Sequence, residues 1–291
     1  MIADTFALLG VDFVQQSLIA AALLGVVSGV MAPLIVMRRM SFSVHSTSEL
    51  ALMGASGALL FGLNVGFGAI AGAVVAAVVL GLLGTKRQDA TVGVVLSFGM
   101  GLSVLFIHLY PGNSNAALSL LTGQIVGVRS SSVWALAGVT AIVLLAFALW
   151  WRPLLFAATD PIMAKAMGVP LGRYNMLFAV LVGLVAAQSV QIVGALLVMA
   201  LLITPGAAAV EITDSPRRAV LYSLLFAEVA AVGGLVLSLA PGLPVSVLVT
   251  SVSFAIYLVC RGIGWARNRR ATKDLVRYAH APTSHCHPER D

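Results

Sequence analysis

Residues 14–36 read VQQSLIAAALLGVVSGVMAPLIV, and Met37-Arg38-Arg39 follows directly. The run carries no charged side chain. It is long enough to cross a bilayer as a helix, which takes about 20 residues. Working outward, the same pattern recurs as apolar runs at 47–63, 65–84, 90–110, 131–150, 173–190, 192–210, 218–239 and 244–261. Asn64, Pro111-Gly112-Asn113, Pro216-Arg217-Arg218 and Pro241-Gly242-Leu243-Pro244 separate them, as turn formers and charges do.

Composition agrees. Hydrophobic residues make up 60% of the 291-residue chain and charged residues 10%, against about 25% charged in soluble domains. The expected fold is all-α, a polytopic integral membrane bundle of about nine transmembrane helices. It has eight if the weak break at 187–194 leaves a single crossing there. This domain covers 1–262, and 263–291 reads as a basic cytoplasmic tail containing His and Cys. The stretch 114–129 is too short and polar to span, and reads as interfacial or re-entrant. Gly25/Gly29 and Gly68/Gly72 are spaced to let helices approach closely. Asp4 and Asp12 without a basic cluster do not make a cleaved signal peptide. Cys260 and Cys286 frame no disulfide scaffold.

Orientation follows from Lys and Arg. With the N-terminus outside and nine crossings, Arg38, Arg39, Lys86, Arg87, Arg152, Lys165, Arg173, Arg217, Arg218 and the tail residues Arg261 to Arg290 all fall inside. Only Arg129 of the 17 basic residues falls outside, which is the positive-inside bias. The basic balance therefore speaks to a lipid bilayer and not to nucleic acid. The cytoplasmic face then carries one long internal loop, about 151–172. Within it Asp160 to Met167 suits a short helix, with Thr159 or Asp160 as N-cap, Pro161 in the first turn and Gly168 as C-cap.

Several motifs in order resemble the permeases of the zinc and manganese (metal ion) ABC transporter family. They are Arg38-Arg39-Met40-Ser41-Phe42; Asp89, Gly93 and Ser97; Asp160, Ala164 and Gly168-Val169; Val193 to Leu197 followed by Leu202 to Ala207; and Pro241 to Pro244. The resemblance implies a homodimeric pore in the cell membrane, a separate ABC ATPase and an extracytoplasmic metal-binding protein. It implies no permanently bound cofactor, the divalent metal (zinc or manganese) being the transported cargo. It also implies that Asp160, Ala164 and Gly168 belong to the ATPase-coupling loop. Independently, no G-x4-G-K-[S/T] phosphate loop occurs, so the chain is not expected to be an enzyme hydrolysing ATP.

Family members place Asp and His four residues apart at the start of the second helix as metal ligands. Here the matching positions are His45 and Glu49, in reversed order. Residues i and i+4 share a helix face with Cβ atoms about 6 Å apart, so carboxylate and imidazole can reach one divalent ion. The surrounding Ser41, Ser43, Ser46, Thr47 and Ser48 equally suit a hydrated helix start with a His–Glu hydrogen bond. Glu228 lies inside an apolar run, as a further ligand or a protonated acid bonded to a neighbouring helix. His108 suits the interface. Gln188 and Gln191 suit backbone bonding or contact with the binding protein. In the tail, His285, Cys286 and His287 are a metal candidate or disordered decoration. The alternatives are a permease for iron or metal chelates, an ion-coupled secondary metal transporter, and a membrane metalloenzyme. The last lacks an H-E-x-x-H motif.

The topology is open to direct test. In sealed cells a single cysteine at position 113 should react with an impermeant label and one at position 167 should not. Labelling at 167 would invert the assignment.

Overall fold

Inside hydrocarbon a peptide group has no water to bond, so an apolar run satisfies its N–H and C=O groups by becoming helical. In the computed structural model of the protein, residues 12–82, 88–112, 128, 130–239 and 244–279 are described. Nine helical stretches occur among these residues: α1 Asp12–Met37, α2 Ser41–Leu60, α3 Val65–Leu82, α4 Gln88–Leu109, α5 Ser130–Thr159, α6 Pro161–Ala166, α7 Leu171–Ile212, α8 Pro216–Leu239 and α9 Val245–Ala279. No strand is present among them. The stretch 114–129 lies largely outside the described residues, as do Pro241 to Leu243.

Among the described residues six segments are long and apolar enough to cross a membrane by themselves: Asp12–Met37, Val92–Leu109, Ser130–Thr159, Leu171–Gly194, Pro216–Leu239 and Val245–Arg267. Length and hydropathy thus support a multi-pass bundle but not the expected count of about nine. The reasons are physical. Ser, Thr, His and Glu fill the first turns of α2, and Val65–Val79 and Leu197–Ile212 are apolar but short. The crossing windows of α1 and of the first half of α7 are each 67% buried, against 17% for α4 and 22% for α9. The former are central and the latter peripheral.

The 42 residues of α7 do not form one rod. A straight helix would hold residues 178 and 206 about 42 Å apart. Instead Phe178 lies under the Arg38 guanidinium and Gly206 abuts Ala32 and Pro33, both near one end of α1. The chain therefore turns back at Gly194, where φ is 77° and ψ is 161°. That is a left-handed conformation that L side chains adopt only with strain. The break falls at the end of the stretch where the sequence weakened, and helix persists through Val193.

Two further boundaries differ from expectation. α5 does not stop at residue 150 but runs to Thr159 across a kink at Trp150 (φ −114°, ψ 21°). Pro153 lacks the N–H that would bond the carbonyl four residues back and crowds it, which places the bend there. The first part of the expected 151–172 loop, residues 151–159, is thus a continuation of α5. At the other end, α9 continues as helix through position 262 to Ala279.

Backbone proximity holds the bundle together. A Cβ on Gly54 would clash with the Gly68 carbonyl and lie 2.9 Å from Gly72 Cα, and one on Gly72 would strike the Leu50 carbonyl. The expected Gly68/Gly72 pair therefore seats α3 directly on α2. Gly29 does the same for α1 against α8, where a Cβ would lie 2.6 Å from Leu224 Cα. Among helices without an aqueous driving force between them, such contacts supply dispersion and shape. Gly54→Leu should therefore lower stability by about 1–3 kcal/mol, read as a lower melting midpoint of the purified protein. Gly101→Leu is the control, since a Cβ there meets nothing within 4 Å. Equal melting of the two variants would contradict close packing at the α2–α3 seam.

Candidate translocation site and coupling segment

The first turns of α2 are polar yet enclosed. Ser43, Ser46, Thr47, Ser48 and Glu49 are all buried, Glu49 with 5% of its surface exposed. Thr47 Oγ1 donates to the Ser43 carbonyl at 2.8 Å and Ser48 Oγ to the His45 carbonyl at 2.8 Å. These back-bonds meet the hydroxyls' needs without outside partners. His45 and Ser46 differ: Nδ1 of His45 and Oγ of Ser46 are buried with no hydrogen-bond partner. No bond to Glu49 therefore runs through Nδ1. The ion pairs among the described residues are Arg261–Glu211 and Arg267–Asp214, so no cation there neutralises Glu49.

α2 packs on α3, α4 and α7. Phe42 remains 54% exposed, and His45 and Met53 are half-buried. Positions 42, 45, 49 and 53 follow one helix face, which is the face the neighbouring helices leave least covered. His45 and Glu49 are thus presented together, one turn apart, as their spacing predicts.

The other candidates are dispersed. Glu228 lies in the α1–α8 seam, where a Cβ on Gly25 would stand 2.8 Å from its Oε1. That oxygen is buried without a hydrogen-bond partner, so a bond to a neighbouring helix does not run through it. The small residue at position 25 makes the room for the carboxyl. Among the described residues no group of three or more His, Cys, Asp or Glu side chains could hold a metal, so Glu228 does not join His45 and Glu49. His108 is exposed near the end of α4. Gln191 Nε2 donates to the Ala187 carbonyl at 3.2 Å, which is backbone bonding. His285, Cys286 and His287 lie outside the described residues.

The segment from Asp160 to Gly168 takes the shape its sequence specifies. Asp160 is the N-cap of α6, its Oδ1 accepting from Met163 N at 2.9 Å, with Pro161 at the first turn. Gly168 follows with φ 79°, and Val169 N bonds the Ala164 carbonyl at 3.0 Å. This closes the helix by a left-handed cap. Ala164 is fully buried, whereas Ile162, Met163 and Met167 are exposed, Ile162 by 84%. One small residue seats the helix and its apolar side chains face outward. The pattern Gly93-x3-Ser97 also has a local cause, since Ser97 Oγ donates to the Gly93 carbonyl at 3.0 Å.

Sequence reasoning placed Arg38 among the inside charges and in the Arg38-Arg39-Met40-Ser41-Phe42 motif, but gave it no contacts. Its Nη1 donates to Asn175 Oδ1 and its Nη2 to the Leu154 carbonyl, each at 3.0 Å. The guanidinium carbon lies 4.3 Å from the centre of the Phe178 ring. Burial lowers its pKa to about 10, so it remains charged at neutral pH.

Comparison with known proteins places these features in a group. The profile of a family described as ABC 3 transport family matches residues 10–262. The manganese transport system membrane protein MntC of Halalkalibacterium halodurans is 31% identical over 256 residues, covering 86% of this chain and 87% of that protein. The manganese import system permease protein ScaB of Streptococcus parasanguinis is 30% identical over 250 residues, covering 85% and 89%. A chain in the solved structure of PsaBC from Streptococcus pneumoniae in complex with Fab superposes with a TM-score of 0.82 at 28% identity, covering 89% of this chain and 95% of that one.

The capping geometry of α6 makes its own prediction. Asp160→Ala should weaken the helix by about 1 kcal/mol, read as hydrogen exchange at 161–167 faster by about fivefold. Thr159→Ala should leave exchange there unchanged. Identical protection in both variants would remove the cap from the account.

Proposed function

The chain belongs to the ABC 3 transport family, and from that premise we propose that it is the membrane permease through which an ATP-binding-cassette importer brings a divalent metal, manganese before zinc, into the cell. It is a transport subunit and not an enzyme. ATP hydrolysis belongs to a separate ATPase subunit. Manganese ranks first because the curated relatives carry that metal in their names; a carboxylate with an imidazole suits manganese, zinc and iron alike.

The observation that carries the site is the first two turns of α2: a buried carboxylate with no cation and a buried imidazole nitrogen with no partner, one turn apart on one face. An ionisable group enclosed in a bundle is costly unless something compensates it. A passing divalent ion offsets that cost at Glu49, and neutral His45 supplies a nitrogen donor. Two donors do not complete a coordination sphere. Waters and a second copy of the chain, in the homodimer, supply the rest. Glu228, half-buried in the α1–α8 seam, serves as a separate pathway acid.

In this reading the bundle has nine crossings, with α7 contributing two around Gly194. Arg38, Asn175, Glu211 and Arg267 then mark the cytoplasmic end. α6 meets the ATPase there with Ile162, Met163 and Met167, while an extracytoplasmic metal-binding protein delivers cargo at the opposite end. The orphaned Nδ1 of His45 favours ion binding over the hydrated His–Glu pair.

At limiting manganese, His45→Ala and Glu49→Ala should each reduce uptake at least about tenfold while the complex with the ATPase still assembles. Glu49→Gln should fail similarly, since it keeps shape and loses charge. The double change His45→Asp with Glu49→His should recover some of the transport. Wild-type uptake by both alanine variants would sink the site and leave the family assignment standing.

A further inference from the structure

Arg38 belongs neither to the proposed ion site nor to α6, yet its contacts bracket α6 and its chain position leads directly into α2. Leu154 lies on the segment of α5 beyond the Trp150 kink, the short arm that leads to Asp160 and α6. Asn175 and Phe178 lie in the opening turns of α7, on the other side of α6. A single guanidinium thus grips the two flanks of the coupling segment. It donates to a backbone carbonyl on one, and donates to an amide and stacks on a ring of the other. Leu154 and Phe178 are fully buried, so neither acceptor surface is a casual surface contact.

Toward the membrane Arg38 is joined to α2 by two residues. Arg39 takes φ 54°, a left-handed conformation rare for a side chain of its size, and Met40 N bonds the Ile35 carbonyl at 3.0 Å. That tight reversal leaves little slack between Arg38 and Ser41. His45 then lies one turn into α2 and Glu49 two turns in. A displacement of α6 therefore has a short covalent and hydrogen-bonded route to the ion ligands.

We propose that Arg38 is a positioning residue of the transport cycle: it fastens both flanks of α6 to the base of α2, so that force applied at α6 reaches His45 and Glu49. The proposal rests on the reading of α6 as the ATPase-docking element. Arginine suits the task because its planar fork serves two acceptors in fixed directions while its face stacks. Lysine keeps the charge but loses the fork and the stack.

The test uses the assembled permease–ATPase complex in liposomes, with manganese as the probe and ions delivered per ATP hydrolysed as the readout. Arg38→Lys should assemble and hydrolyse ATP, while ions per ATP fall by about tenfold or more, the scale of a lost charge-assisted hydrogen bond. Asn175→Ala and Phe178→Leu should lower the same ratio by smaller factors. A wild-type ratio in both Arg38→Lys and Arg38→Ala overturns the proposal. So does a fall of uptake and hydrolysis in step, or failure of all four variants to assemble, since either result makes Arg38 a folding residue. Cross-linking from a cysteine at position 163, with Cys260 and Cys286 replaced by Ser, reports on the docking reading separately. With the cross-link formed and the ratio unchanged, the coupling role of Arg38 alone is wrong. Without the cross-link, α6 is not the docking element and the proposal falls with it.

Discussion

Backbone hydrogen bonding in the absence of water governs this molecule. Each apolar run must close its own ladder as a helix, and once it has done so the hydrophobic effect has little left to offer for joining helix to helix. Association then depends on how near two backbones can come. At the α2–α3 seam the approach is limited by peptide atoms themselves, with Gly54, Gly68 and Gly72 leaving no side chain between them. The same device brings Gly29 to Leu224 and Gly206 to Ala32 and Pro33. These contacts let a polar helix such as α2 be enclosed by its neighbours. Without them its serines and its carboxylate would face lipid.

That enclosure sets what the site can do. A carboxylate held in a rigid, partly dry environment attracts a cation strongly, but an importer must also release its cargo. In the proposed site one carboxylate and one imidazole per chain leave coordination positions open to water and to a partner copy.

Local features were legible in the sequence, whereas features depending on partners far along the chain were not. The cap of α6 could be read because Asp160, Pro161 and Gly168 act within one turn of themselves. That His45 and Glu49 lie one turn apart on a single helix could be read for the same reason. The α5 boundary misled because Arg152 looked like an exit from the membrane, yet a helix can continue into water and needs only its own bonds to do so. Gly194 was marked only as a weak break, since a single glycine in an apolar run does not reveal that the chain reverses. Arg38 is legible in the sequence as an inside charge and as part of a motif, but not by its contacts. Its acceptors lie 116 and 137 positions away, and no local pattern discloses such partners.

Contacts made by backbone also decide where such a bundle can move. Helices seated by backbone contact resist sliding, because a glycine seam has no side chains to repack as one helix moves over another. Motion between rigid groups must then concentrate where the ladder is interrupted: at Trp150 above Pro153, at Gly194, and at the left-handed Arg39. Two of these three breaks flank the elements that Arg38 ties together. A load entering at α6 meets the kink in α5 on one side and the Arg39 reversal on the other, and the guanidinium spans both. The bundle therefore has a stiff core around α1 and the first half of α7, with two of its three ladder breaks at the end that carries α6 and the third at Gly194.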